Sequence, residues 1–480
     1  MLFSICYVAL FFLKHQFFLS MKTQFLNRFA SVRRAMSTTV AIAALVVGLG
    51  SCDQNFTAPD PNSPTPATAS LQTLITGTIA NFRYTEINEF IGIAGREIYT
   101  SAADDPRILQ QPIGQNALDA TAFVVNAPWN QMYYTIANCR NLVDYAANLP
   151  AAQKAGVEGF AKTIQAHELI RLSNVWYDEG IKIEYRLDRN APFVPRAQSL
   201  AEAARLLDEA NTALAAAGAT FSFALGAGFV GFDTPAQFAR VNRGLRARVA
   251  AYQGDYAACL TALSSSFLRE GNTAADMRIG VGHAYSTQPG DVPPRGRGGV
   301  GGNPFFQNLA APSIRWWVQK NFLTDNPDST VDLRILNKSA IPTVVAVPAA
   351  IGSGAGLTSP RAVNLYQTQN AQTSIIRNEE LLLLRAEARM FGATPDLAGA
   401  LADINRVRAA ANAPALTTVG ADRTAQTTRL LYERRYSLFF EGFRWVDHKR
   451  FNRLSELPIE RSIDRLITAG WPKPVNEIPQ

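Results

Sequence analysis

Two stretches of this chain join small residues to a tight turn, the pattern of two antiparallel helices in close contact. Val249-Ala250-Ala251-Tyr252 runs into Gly254-Asp255 and then Tyr256-Ala257-Ala258. Arg385-Ala386 to Ala388 runs past Gly392 to Pro395 and into Leu397-Ala398 and Ala400-Leu401. Alanines at helical spacing let two antiparallel helices approach closely, while glycine or proline turns the chain between them. A hairpin of this kind buries its apolar face only against neighbouring elements, so the chain is expected to be mainly α.

Further helices follow from apolar spacing. Val157, Phe160, Ile164, Leu169, Leu172 and Val175 predict a helix from Ala152 to Trp176. Ser199 predicts a cap for Leu200 to Ala217, with Glu202 completing a capping box. Thr234-Pro235 opens a helix to about Tyr252, and Tyr256 to Leu263 follows. Asn378 to Phe391, Asp396 to Ala410 and Gln426 to Phe440 complete the set. The helix pairs look like tetratricopeptide (TPR) packing, in which hairpins stack into an array. An ordinary helical bundle with alanine-rich contacts gives the same pattern. From about Arg269 to Ser374 the composition changes to glycine, proline, serine and asparagine, with short runs such as Thr343 to Val347. So long a stretch with little helix reads as a loop-rich insertion with minor β structure.

The N-terminus carries an address. Lys22, Arg28, Arg33 and Arg34 precede a small, apolar run from Val40 to Leu49, the order of a secretory signal. That run is too short to span a bilayer, which takes about 20 apolar residues. Leu49-Gly50-Ser51-Cys52 then has the pattern of a bacterial lipobox, making Cys52 the lipidated first residue of the mature chain. An ordinary signal peptide with a coincidental cysteine is the alternative. Met21-Lys22 restarts a well-formed signal after an apolar stretch, so translation is expected to begin at Met21. The Pro-rich segment from Thr57 to Ala67 reads as a tether. The expected organisation is a signal peptide over 1–51, a tether over 52–70, a helical part over 71–268, the insertion over 269–375 and a second helical part over 376–480.

Charge excludes one class of partner. The chain has 46 Lys and Arg against 39 Asp and Glu, a net +7. Five of these bases (Lys14, Lys22, Arg28, Arg33 and Arg34) and no acid precede Cys52, which leaves 41 against 39, or +2, in the mature chain. A basic character that resides in the leader gives no support to nucleic-acid binding. Cys139 and Cys259 stand apart on helical segments and read as buried thiols, although a disulfide between them is permitted outside the cytoplasm. His167, His283 and His448 are scattered, no metal-ligand spacing exists, and no cofactor is expected.

The segment from Leu431 to Phe451 carries Glu433-Arg434-Arg435, then Phe440-Glu441-Gly442-Phe443-Arg444-Trp445-Val446-Asp447. It resembles the C-terminal signature of the SusD/RagB family. Trp129 to Asn138, Pro195-Arg196, and Arg377 to Arg408 match the family in the same order. Ser437 stands where the family usually has an acid, and His448-Lys449 replaces a more usual Leu-Arg. The resemblance implies a TPR-like scaffold and a lipoprotein held in the outer membrane, exposed at the cell surface. It implies a partner, a SusC-like TonB-dependent transporter, and a ligand, an oligosaccharide or in some members a peptide. The signature's charges alternate with Leu438, Phe439, Phe440, Phe443 and Trp445. Arg434, Arg435, Glu441, Arg444 and Asp447 are therefore expected to be partly buried and to need partners, forming an ion-pair network that locks the last helix to the repeats. Gly442 is expected to take a positive φ and end the helix.

Sugar binding generally uses flat aromatic faces rimmed by polar side chains. Trp316-Trp317, beside Arg315 and Gln319, is the first candidate, with one ring of the pair facing a ligand. The alternative is that both rings anchor the insertion. Tyr99 and Tyr285, with Asp104, Asp105 and Arg107, are further candidates, while Trp129, Trp176 and Trp445 read as core and His283 as solvated. No Gly-x-Ser-x-Gly, phosphate loop or HExxH motif is present, and no catalytic residue is expected. A TPR-type scaffold for outer-membrane assembly and a surface glycosidase fit parts of the same pattern. The first needs no insertion, and for the second no acidic pair stands out.

Overall fold

Side-chain caps set where several of the helices begin. Ser70 accepts a hydrogen bond from the Thr73 amide and opens α1 (Leu71–Phe82). Helix α2 (Ile87–Ala94) is apolar on nearly every face and buried accordingly. Helices α3 (Phe123–Ala146) and α4 (Ala151–Val175) are the two longest. Helix α5 (Arg196–Ala215) follows Pro195. Thr234 caps α6 (Pro235–Gln253), which has proline in its first turn, and Asp255 caps α7 (Tyr256–Ser264). In the C-terminal part come α8 (Asn378–Phe391), α9 (Leu397–Ala410) capped by Asp396, α10 (Arg423–Ser437) capped by Asp422, and α11 (Arg444–Arg450). This computed structural model describes residues 69–101, 105–184, 190–286, 302–325, 332–345, 350–352 and 356–478. The leader, Met21, Cys52, the tether, Asp104 and positions 287–301 of the glycine-rich run lie outside the described residues.

Two boundaries differ from the sequence reading. Pro195 takes the extended cap conformation (φ −61°, ψ 157°), so α5 starts at Arg196 and Ser199 falls inside the first turn. Its hydroxyl donates to the Arg196 carbonyl and bonds Ser173, while Glu202 holds Arg205 instead of closing a capping box. The last long helix starts three residues early, because Asp422 accepts from the Ala425 amide, and stops at Ser437.

Successive helices pack on one another from α3 through α7, and α8 packs on α6, α7, α9 and α10. That stacking makes the fold a mainly α, TPR-like array. Gly159 permits a close approach of α4 and α5: a Cβ there would lie 2.5 Å from Leu214 Cγ of α5. Cys139 and Cys259 are buried free thiols. No helix among the described residues is long and apolar enough to cross a membrane.

Short strands lie between and after these helices. Strands β1 (Ile98–Thr100), β5 (Trp316–Val318), β7 (Ala362–Val363) and β6 (Ser339–Ala340) form an antiparallel sheet in that order. Strands β2 (Ile181–Lys182) and β3 (Phe193–Val194) pair, as do β4 (Gly280–His283) and β8 (Thr373–Arg377). The four-stranded sheet has its own apolar core, which joins Ile98, Trp316, Trp317, Phe322 and Ile335 to Tyr432, Tyr436, Phe439 and Phe440.

Candidate functional site

The C-terminal signature forms much of the internal wiring of the fold. Asp447 accepts from Arg434 Nε at 2.7 Å and from Arg450 Nε at 2.9 Å. Arg450 also reaches Glu387 of α8 at 2.6 Å. Burial pushes the Asp447 carboxyl up, but Arg434 and Arg450 outweigh it and hold the group below its ordinary range. Glu433 accepts from Arg334 at 2.7 Å and from Arg408 of α9 at 2.9 Å. Glu441 pairs with Arg377, which also holds Glu379 at 2.8 Å and donates to the Ser437 carbonyl. Arg444 donates to the Arg96 carbonyl, and Arg435 reaches Asp325 at 3.3 Å. Gly442 has φ 83°, yet α10 has already ended five residues before it. Phe440, with φ 62°, is the first left-handed residue after the helix.

The aromatic candidates are core, not platforms. Trp316 and Trp317 do point to opposite faces of β5, but the sheet is covered on both faces, so each ring is buried. Trp316 Nε1 donates to Glu89 at 3.0 Å, and its ring packs against Phe305. Tyr99 is buried with its hydroxyl on Glu460, and Tyr285 is buried with its hydroxyl between Thr85 and Thr373. None of the four offers a face to a sugar ring. His283 is buried against Phe82 rather than solvated. Trp129, Trp176 and Trp445 are buried core residues. Asp105 and Arg107 form a surface pair at 2.7 Å, and the guanidinium lies over the Phe123 ring.

A cleft of about 530 Å³ opens where the C-terminal helices meet β4, β8 and the 365–372 loop. Its floor carries Arg334, Lys338, Arg377, Glu379 and Glu441. Lys338 Nζ donates to the Tyr436 carbonyl at 2.8 Å, and burial pushes the amine down to about 8 despite Glu379 and Glu441 nearby. Exposed side chains of Asn337, Gln367, Thr368 and Gln372 form the rim. Fixed charges beneath, with amides and a hydroxyl above, can hydrogen-bond a hydroxyl-rich ligand without doing covalent chemistry on it. Of the residues singled out in the sequence, Glu441 lines this cleft, whereas Trp316, Trp317, Tyr99, Tyr285, Asp105 and Arg107 do not. The amide-rich run Gln367-Thr368-Gln369-Asn370 was the signal available for it.

Residues 360–471, which hold the buried Arg and Glu network, match the SusD family profile. This C-terminal part of the chain is similar to the SusD family. Solved SusD-like structures share its fold over most of their length. A SusD superfamily protein from Bacteroides vulgatus aligns with 14% identity and a TM-score of 0.59, over 86% of this chain and 96% of its own. A laminarin-binding SusD-like protein aligns with 17% identity and a TM-score of 0.54, over 85% and 94%. A protein solved with a xylogluco-oligosaccharide aligns with 12% identity and a TM-score of 0.56, over 82% and 86%. No curated protein matches the chain.

Proposed function

We propose that this chain is an oligosaccharide-binding lipoprotein of the SusD family, anchored in the outer membrane through Cys52, that caps a SusC-like TonB-dependent transporter. The observation that carries the reading is the SusD family match over 360–471 on a fold shared with a laminarin-binding protein and a xylogluco-oligosaccharide complex. On this reading the helices of 71–268 and 376–480 are the scaffold, and the 269–375 insertion supplies the ligand face. The polar cleft at their junction is the binding site, working without catalysis.

Two measurements test it. A detergent pull-down of a tagged copy lipidated at Cys52 should recover a TonB-dependent barrel in stoichiometric amount; recovery of assembly factors alone would refute the capping role. Affinity electrophoresis in laminarin or xyloglucan should retard the chain, and Gln367→Ala with Gln372→Ala should relieve the retardation. Retardation unchanged by the double substitution would move the site elsewhere. Release of reducing ends from either glycan would replace binding with hydrolysis.

A further inference from the structure

A second cavity, of about 630 Å³, shares no lining residue with the first. One face of α10 forms its wall through Ala425, Thr428, Arg429, Tyr432 and Arg435, and α11 adds Arg444 and His448. Three arginines thus meet in one recess, and the pairing of two of them, Arg435 and Arg444, is incomplete. Arg435 and Arg444 are 8% and 4% exposed, and both guanidinium groups stack on the Phe322 ring, at 4.0 and 4.9 Å. Arg435 has one anionic partner, Asp325, which is itself 44% exposed. Arg444 gives one nitrogen to a carbonyl and forms no ion pair among the described residues. Arg435 Nε and Nη2 and Arg444 Nε have no hydrogen-bond partner among the described residues and are shielded from bulk water. Arg429 stands 3.6 Å from Glu433, a carboxylate already shared by Arg334 and Arg408. The remaining acid in the wall, Glu456, is held by Arg453.

Buried guanidinium groups left with open donors carry a desolvation cost that an anion would offset. Arginine's planar fork suits a carboxylate or sulfate, and attraction to three cations in a recess acts over the whole cavity. Burial and the charge of Arg435 hold Arg444 well below an ordinary arginine even against the opposing charge of Glu97, a repulsion that a bound anion relieves. We infer that the recess between α10 and α11 is a binding site for a single oxyanion, a carboxylate or sulfate group, either carried by a sugar or free in solution.

Isothermal titration of the full chain tests this with sodium sulfate and sodium glucuronate, against glucose and sodium chloride at matched ionic strength. The expected result is saturable binding of one equivalent of at least one oxyanion, and none of glucose or chloride. Glucuronate binding tenfold tighter than sulfate assigns the site to an acidic sugar, and equal affinity assigns it to a free anion. Arg435→Gln should weaken binding at least tenfold. Because that change also removes a ring-stacked side chain, a second variant guards the test: Thr428→Glu places a carboxylate at an exposed position on the cavity wall. It should abolish binding while leaving the melting temperature within about 2 °C of the parent. No saturable binding by either oxyanion, or binding indifferent to Thr428→Glu in a folded variant, overturns the inference.

Discussion

Glu433 is the most heavily used carboxylate of the signature, and removing it should be far costlier than its single charge suggests. It is fully buried, with Arg334 at 2.7 Å, Arg408 at 2.9 Å and Arg429 at 3.6 Å. Glu433→Ala leaves at least two buried guanidinium groups without that counter-charge, and removing one partner of a buried ion pair costs about 3–5 kcal/mol. The exposed pair Arg205–Glu202 supplies the control, where the loss should stay below about 1 kcal/mol. The double substitution Glu433→Met with Arg334→Met removes a charge of each sign and should lose less than Glu433→Ala alone. Urea unfolding, followed by the fluorescence of the buried tryptophans and by circular dichroism, reads all three variants. A Glu433→Ala loss no larger than that of Arg205→Ala would show that the network does not hold α10 to its neighbours, and the argument would fail.

Burial pushes His167 down to about 4 and His448 to about 3, so the folded chain keeps both neutral. A depressed folded value means that the unfolded chain binds more protons. The two histidines therefore withdraw stability as pH falls from about 6.5, each with a slope of about 1.4 kcal/mol per pH unit. Glu97, pushed up to about 8 chiefly by burial, acts in the opposite direction, so melting temperatures at pH 7, 5.5 and 4.5 should fall overall and fall less steeply in His167→Gln. Gly159→Val forces a side chain into Leu214 and should cost about 1–3 kcal/mol, measured as a drop in urea midpoint. Gly442→Ala, at φ 83°, should cost about 1 kcal/mol or more without altering glycan retardation.

The scaffold was legible because its signals are local. Thr234-Pro235, Gly254-Asp255 and Asp396 mark helix ends wherever the rest of the chain goes, and the structure places ends there. Ser199 misled because the extended backbone of Pro195, four residues earlier, starts the helix without any side-chain cap. The signature's charges announced their burial through the aromatics between them, but which carboxylate each arginine meets depends on α8, α9 and the 332–337 segment, all distant in sequence. Trp316 and Trp317 failed as ligand platforms because strand alternation specifies two faces and says nothing of what covers each. Here Phe305, across an intervening loop, and Phe440, far along the chain, cover Trp316. The polar cleft was hidden for a related reason: its floor is built from salt-bridged residues that read as purely structural.

Phe440 ties the two parts of the chain together. Its amide donates to Glu97 at 3.1 Å, and its ring packs on Phe305 at 4.9 Å, inside the apolar core of the small sheet. The turn that closes the last long helix is thus also the keystone of the loop-rich part, so the insertion is not a detachable module. Exchanging the whole of it between relatives would unseat α10 and α11 and expose the buried ring. If the polar cleft is the ligand site, as proposed, changes in specificity that leave this keystone untouched fall to the exposed rim residues Gln367, Thr368 and Gln372.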